Sequence, residues 1–148
     1  MASQSQSRFK RPESVLVVVY TRRSEVLLLE RVRPPGAWQS VTGSLKWGEP
    51  ASAAAVRELA EETGLRNLPV VDCECRNTFE ILPPWGGGKF APGVTCNEES
   101  VFSVMLPEIC NVALHPQEHT RAIWLPREAA AQKVFSWTNR DAILEFVP

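Results

Sequence analysis

Cysteine is scarce in this sequence and is not arranged for cross-linking. Of the four cysteines in 148 residues, only Cys73 and Cys75 are near each other, and a single residue separates them. Paired zinc ligands are usually separated by roughly two to four residues, and secreted disulfide scaffolds carry more cysteines in a shorter chain. We therefore expect ordinary strand cysteines, kept reduced in the cytoplasm.

Long hydrophobic runs are also absent. The longest apolar run, residues 15–20, has the length of one β-strand and is far shorter than a membrane-spanning helix. The first twelve residues contain no apolar segment of the kind found in signal peptides. We expect residues 1–8 to form a flexible tail and residues 9–148 to form a single domain that does not enter a membrane.

Neither sign of charge dominates, since the formal net charge is −1. The charges are nevertheless uneven: residues 1–48 contain eight Lys or Arg and three Asp or Glu, whereas residues 49–148 contain eight and fourteen. No basic run is interleaved with aromatic residues, so we do not expect binding to nucleic acid. The asymmetry suits a substrate whose phosphates are held by side-chain cations and by metal ions on carboxylates, although random scatter would give the same counts.

The most informative stretch is residues 43–65, which read GSLKWGEPASAAAVRELAEETGL. Pro50 suits the start of a helix, residues 51–63 are rich in helix-forming residues, and Gly64 suits the end of a helix. The pattern predicts a helix of about three to four turns that follows a glycine-containing loop.

Three glutamates share one face of this predicted helix. Glu58, Glu61 and Glu62 are spaced i, i+3 and i+4, and each pair of like charges three or four residues apart costs roughly 0.2–0.5 kcal/mol in repulsion. Arg57 can relieve only Glu61, four residues later. A hard divalent cation such as Mg²⁺ would neutralise the others. We expect the apolar stripe through Leu59 to pack on a sheet while the glutamates face outward; the alternative is a solvated surface helix with Arg–Glu pairs.

The fixed positions of this stretch resemble the Nudix box. They are Gly43, Glu49, Arg57, Glu58, Leu59, Glu61, Glu62, Gly64 and Leu65. The resemblance implies a loop–helix–loop that binds a divalent metal and helps to hydrolyse a diphosphate linked to another moiety. It also implies an α/β fold, the Nudix α/β/α sandwich with a mixed β-sheet between helices.

Apolar and alternating segments predict the remaining secondary structure. We expect strands at residues 14–21, 25–32, 70–82, 99–106 and 121–125, and helices at residues 126–133 and after residue 136. Thr138 and Asp141 are spaced as a capping box for the last helix. The loop at residues 83–93 contains Trp85 and Phe90, which could stack on a substrate, although a simple connector would have a similar composition.

Segments outside the box narrow the resemblance to one branch of the Nudix family, the bacterial enzymes that hydrolyse dihydroneopterin triphosphate in folate biosynthesis. The resemblance rests on FKRP at 9–12, WQSVTGS at 38–44, APGVT at 91–95, and SW and NR within 136–140. Val41 and Thr42 replace the proline and first glycine of the common W-x-x-P-G-G form, and the Thr42 hydroxyl adds a potential hydrogen bond to substrate. Leu82 and the PPWGGG segment after it depart from the aromatic and basic loop of that branch.

The resemblance implies roles for individual residues. The ligands of Mg²⁺, or of Mn²⁺, would be Glu58, Glu61, Glu62 and Glu118. The catalytic residues would be Arg57, Glu58, Glu61 and Glu118, with Glu61 or Glu118 as the general base. The residues that line the substrate site would be Lys10, Arg31, Thr42, Phe79, Glu80, Ile81, Leu82 and Ser136. His119 is a further candidate because it follows Glu118 directly.

The implied reaction is hydrolysis of dihydroneopterin triphosphate to dihydroneopterin monophosphate and pyrophosphate. Two alternatives remain open: a house-cleaning hydrolase of nucleoside triphosphates or dinucleoside polyphosphates, and a nucleotide sensor without turnover. The complete set of box carboxylates favours an enzyme over a sensor. We expect a small-molecule triphosphate as partner, with neither nucleic acid nor membrane, and exposed strand edges would allow a homodimer.

Overall fold

The described residues form a mixed β-sheet of seven strands at the centre of the fold. The computed structural model describes residues 8–82 and 86–148. In these ranges the strands are β1 (Glu13–Thr21), β2 (Glu25–Arg31), β3 (Trp38–Gln39), β4 (Val41–Ser44), β5 (Val71–Glu80), β6 (Cys96–Leu106) and β7 (His119–Pro126), and the helices are α1 (Ala51–Thr63), α2 (Arg127–Lys133) and α3 (Trp137–Phe146). Every predicted strand and helix is present to within a few residues. The sequence did not predict β3 and β4, which are too short to show a period of two.

The central strand β1 connects the two parts of the sheet. The strand order is β3-β2-β1-β6-β5, with β4 paired to β1 and β7 paired to β2. β1 runs parallel to β6 and antiparallel to β2 and β4, which makes the sheet mixed as the resemblance implied. Residues 15–19 of β1 are all buried, because helices cover both faces of the sheet.

Each face of the sheet has its own apolar core. On one face, Leu59 of α1 packs with the odd-numbered residues of β1, such as Val17. On the other face, Ala130 of α2 and Ile143 of α3 pack with even-numbered residues, such as Leu16. Burying each leucine or isoleucine side chain contributes about 1.5–3 kcal/mol. The result is the predicted α/β/α sandwich. None of the helices in residues 8–82 and 86–148 is long and apolar enough to cross a membrane.

The ends of the helices depend on local backbone chemistry. Gly64 ends α1 as predicted, with a left-handed φ of 77° and its N–H donating to the carbonyl of Ala60 at 2.9 Å. At the start of α3, the hydroxyl oxygen of Ser136 accepts from the N–H of Asn139 at 3.1 Å. The predicted capping box at Thr138 is therefore wrong. Thr138 lies inside the first turn and is buried.

Candidate active site

A cavity of about 1290 Å³ is lined by residues of α1, β4, β5, β6 and the start of α3. Of the described residues that the sequence suggested for the site, all but one line it: Lys10, Arg31, Thr42, Arg57, Glu58, Glu62, Phe79, Glu80, Ile81, Leu82, Glu118 and Ser136. The exception is Glu61, which is not among the residues that line the cavity. Its side chain is 49% exposed and lies 3.2 Å from Arg57.

The close approach of α1 to β4 depends on a glycine. If Gly43 carried a Cβ, that atom would lie 2.1 Å from the carboxyl carbon of Glu58. The Glu58 carboxylate therefore occupies the space that any other residue at position 43 would fill. The expectation that the box glutamates face outward is wrong for Glu58 and Glu62, which are buried with 8% and 0% exposure. They point into the cavity because Gly43 leaves room for the helix to pack closely.

Glu62 is the most deeply buried carboxylate of the box. Neither of its oxygens has a hydrogen-bond partner of normal geometry among the described residues. Burial, and then the nearby charge of Glu58, raise the pKa of Glu62 well above its ordinary value. Burial likewise raises the pKa of Glu58, against the effect of Arg57. Glu58 has a cationic donor in Arg57, whereas Glu62 has none of normal geometry among the described residues, so a bound divalent cation would stabilise the anionic form of Glu62.

The guanidinium of Arg57 organises the acidic side chains of the box. It donates to both oxygens of Glu49, at 2.9 and 2.8 Å, and to Glu58 at 2.8 Å. It also donates to Glu61 at 3.2 Å and to the backbone carbonyl of Ser44 at 3.1 Å. The hydrogen bonds from Arg57 lower the pKa of Glu49 to about 2. Arg57 therefore fastens the loop before α1 to the helix, which makes it a positioning residue.

A second acidic segment reaches the box carboxylates from the start of β7. Ligand atoms of Glu62, Glu118 and His119 all lie within 4.8 Å of one another, and His119 Nε2 lies 3.6 Å from Glu62 Oε1. Burial, and then the charge of Arg31, lower the pKa of His119 to about 4, so its imidazole is neutral at pH 7. The two carboxylates offer the hard oxygen donors that a divalent cation such as Mg²⁺ prefers.

A short chain of hydrogen bonds connects a cation of the cavity to His119. Arg31 Nη1 donates to Gln39 Oε1 at 3.3 Å, which turns the amide nitrogen of Gln39 toward His119 Nε2 at 3.2 Å. The amide donates there, so the imidazole proton is assigned to Nδ1. With Nε2 engaged by Gln39, carboxylates rather than His119 are the donors best placed for a cation. Gln39 lies in a segment that the sequence marked, but without a role of its own.

Positive charge lines the same cavity. Burial, and then the charges of Lys89 and Arg31, lower the pKa of Lys10. Burial also lowers the pKa of Arg31, and the charges of Glu62 and Glu118 oppose this effect, which places Arg31 near both carboxylates. Lys10 is exposed at the cavity wall and Arg31 is half-buried, and cations in these positions suit phosphate oxygens.

The substrate contacts suggested for Thr42 and the 83–93 loop are only partly described. The Thr42 hydroxyl donates to the backbone carbonyl of Val15 at 2.9 Å, so it can offer a ligand only an acceptor. Phe90 lies against Lys10, whose ammonium is 5.5 Å from the ring centroid. Trp85 lies outside the described residues.

Polar residues on β1, β6 and α3 form a further part of the cavity wall, which the sequence did not indicate. They are Ser14, Asn97, Glu99, Thr138 and Asn139. Asn97 Nδ2 donates to the hydroxyl of Ser14 at 2.8 Å. The side chain of Asn139 makes two hydrogen bonds with Ser40. Its Oδ1 accepts from the backbone N–H of Ser40 at 2.8 Å, and its Nδ2 donates to the Ser40 hydroxyl at 2.9 Å. These bonds fix α3 against the segment before the box. Glu99 could have been noticed in the sequence, because it lies two residues before Val101 and so on the same, buried face of the strand.

Comparison with known proteins agrees with this geometry. The NUDIX domain family matches residues 10–146. The chain is 42% identical to dihydroneopterin triphosphate diphosphatase of Escherichia coli over 144 residues, 94% of each chain, and 34% identical to that of Haemophilus influenzae over 146 residues, 95% of this chain and 90% of the other. The structure of the E. coli dihydroneopterin triphosphate pyrophosphohydrolase superposes with a TM-score of 0.88, covering 94% of this chain and 97% of that one. This chain belongs to the Nudix family.

Proposed function

We propose that this protein hydrolyses dihydroneopterin triphosphate to dihydroneopterin monophosphate and pyrophosphate in folate biosynthesis. The observation that carries the substrate is the 42% identity to the E. coli diphosphatase, which spans 94% of both chains. Residues 9–148 act as one catalytic domain, which the family match over residues 10–146 supports.

The reaction class rests on the carboxylates of the cavity. Glu58, Glu62 and Glu118 would hold a divalent cation, Mg²⁺ or alternatively Mn²⁺. A divalent cation there supplies positive charge against phosphate oxygens and acidifies water. Without the cation, the buried carboxylates would repel the negatively charged triphosphate. With the cation bound, its positive charge would offset this repulsion and allow the substrate to bind.

Glu118 is the general base. It lines the cavity, whereas Glu61 points to solvent beside Arg57. The side chain of Glu118 is exposed, and its carboxylate takes the proton of the attacking water.

Lys10 and Arg31 bind the phosphates. Their charges offset those of the phosphate chain in the reactant and of the pyrophosphate that leaves. Arg31 is fixed by its bonds to Gln39 and to the backbone carbonyl of Arg33, at 3.3 and 2.9 Å, so little conformational freedom is lost when it meets a phosphate.

The test is release of pyrophosphate and of orthophosphate with Mg²⁺, measured on dihydroneopterin triphosphate, on deoxynucleoside triphosphates and on dinucleoside polyphosphates at equal concentration. Preference for the pterin with pyrophosphate as product supports the proposal. Preference for nucleotides would keep the hydrolase and make it a house-cleaning enzyme. Binding without any turnover would make the protein a sensor.

A further inference from the structure

Glu99 is a buried carboxylate that the proposed chemistry does not use. It lies on β6 opposite Ser14 of β1 and Asn77 of β5, and it lines the cavity with Asn97 and Thr138. Its exposure is 5%, and its Oε1 has no hydrogen-bond partner of normal geometry in the described part of the chain. The fold thus places an unsatisfied acceptor in the wall of the substrate cavity.

The neighbouring residue shows how the chain treats a structural carboxylate. Glu98 faces the surface and lies 3.4 Å from Arg76, and both side chains are exposed. No such ion pair reaches Glu99 in residues 8–82 and 86–148. Burial raises the pKa of Glu99 to about 7, and a hydrogen bond with the side chain of Thr138 opposes this effect. A carboxylate kept at this cost, inside a cavity, is suited to a ligand that brings its own donors.

We propose that Glu99 recognises the base of the substrate by accepting two hydrogen bonds from the adjacent ring N–H and exocyclic amino group of a pterin. This inference rests on the proposed function and adds the residue that selects the ring. The pyrimidinone half of a pterin presents these two donors side by side, which matches the two oxygens of one carboxylate. Phe79, Phe135 and Trp137 line the same cavity and offer apolar surface to the ring faces.

The chemistry predicts a particular pattern of selectivity. Guanine presents the same pair of donors as a pterin, whereas adenine has a ring acceptor at the equivalent edge. Glu99 should therefore favour the pterin and, to a lesser degree, guanine nucleotides over adenine nucleotides. A site built to receive donors rejects ligands that lack them, because its buried acceptor is then left unpaired.

The test compares Glu99→Gln with the matched control Glu98→Gln, one residue away on the surface. In Glu99→Gln, an NH₂ group replaces one carboxylate oxygen, so a donor of the protein would face a donor of the pterin. We expect kcat/KM for dihydroneopterin triphosphate to fall by about 10- to 100-fold, mostly through KM. Turnover of dATP should change by less than about twofold. Affinity for neopterin, which has the same ring but no phosphates, read by pterin fluorescence, should fall by a similar factor, while Glu98→Gln remains like the wild type.

Other results would overturn the inference. A purely structural Glu99 would lower the melting temperature on replacement and reduce activity equally toward all substrates. Wild-type selectivity retained in Glu99→Gln would also contradict the proposal. If Glu99→Gln does not fold, Glu99→Asp keeps the charge but withdraws it by one methylene, and it must show the same selective loss for the inference to stand.

Failure of the proposed function would be visible separately in the wild type. A wild-type protein that does not hydrolyse dihydroneopterin triphosphate refutes that function whatever Glu99 does. In that case, recognition of the ring N–H and amino group can be tested with nucleotides alone. The wild type should prefer dGTP to dATP, and Glu99→Gln should lose this preference. Equal use of both nucleotides by the wild type would overturn it.

Discussion

The carboxylate of Glu58 lies over the backbone of Gly43, where a Cβ on residue 43 would come within 2.1 Å of its carboxyl carbon. This contact brings α1 close to β4 and turns two glutamates of the helix into the cavity. The glycine is needed here for space, since Gly43 is not among the residues with positive φ.

Replacing Gly43 with alanine should disrupt the acidic site. The methyl group must displace the Glu58 side chain, and overpacking of this kind costs about 1–3 kcal/mol in stability. We expect a large loss of turnover and a weaker apparent affinity for Mg²⁺, measured by steady-state kinetics in a Mg²⁺ titration.

Gly36→Ala is the control for this variant. Gly36 has a φ of 85° and open space around its Cβ position, so alanine there costs backbone strain but does not touch the site. Similar kinetic defects in both variants would mean that general destabilisation, and not the contact with Glu58, explains the loss.

Glu62→Gln should separate a metal ligand from a structural residue. Because Glu62 is buried with no hydrogen-bond donor of normal geometry among the described residues, a neutral amide should leave the melting temperature of the metal-free protein unchanged or raise it. Turnover should nevertheless fall by more than about 100-fold, since even residues that only orient metal ligands cost about 10- to 100-fold.

Glu61→Gln provides the comparison on the same helix. Its side chain is half exposed and pairs only with Arg57 in the described structure, so the loss should be much smaller. Near-wild-type turnover and Mg²⁺ affinity in Glu62→Gln, or equal losses in both variants, would contradict the assignment of Glu62 to the cation.

Glu118→Gln should remove the general base while preserving substrate binding. We expect kcat to fall by about 10²- to 10⁴-fold with little change in the affinity for substrate. Single-turnover kinetics at a series of protein concentrations would separate the two effects, because the limiting rate reports the chemical step and the half-saturating concentration reports binding. If Glu61→Gln instead produced the larger loss of kcat, the proton would have to go to Glu61.

The stability of the metal-free protein should carry a pH dependence that belongs to Glu99. Its pKa is about 7 in the folded protein against an ordinary value of 4.5, so between these values only the folded state keeps the proton. Stability from this group is therefore full below pH 4.5 and is lost as pH rises toward 7, by up to about 3 kcal/mol. Thr138 and Cys75 are the neighbours that interact with this carboxyl group.

Urea denaturation at a series of pH values would measure this pH dependence of the free energy of unfolding. Glu99→Gln should flatten the profile between pH 4.5 and 7, whereas Glu98→Gln should leave its shape unchanged. An unaltered slope in Glu99→Gln would mean that the carboxyl group of Glu99 does not change its protonation on folding in this range.

Local pattern was enough to predict the helix of the box and its end at Gly64, because propensity and a left-handed stop act within a few residues. The core stripe through Leu59 followed from helical period, and the long strands followed from β-branched or alternating residues. The mixed sheet and the sandwich came from the resemblance to the Nudix family, and both are confirmed.

Features that depend on tertiary contact could not be predicted in the same way. The burial of Glu58 requires the close approach at Gly43, which no single-helix argument contains. Gln39 acquires its position between Arg31 and His119 only when β2, β3 and β7 pair. The cap of α3 went to Ser136 because its backbone is extended there, which spacing alone does not reveal.

The most direct test of the central claim is phosphorus NMR of dihydroneopterin triphosphate incubated with the protein and Mg²⁺. We predict that the three signals of the triphosphate are replaced by one monophosphate signal and one pyrophosphate signal, and that Glu62→Gln slows this change by more than about 100-fold. Release of orthophosphate, or an unchanged triphosphate under conditions in which a nucleotide is hydrolysed, would contradict the account.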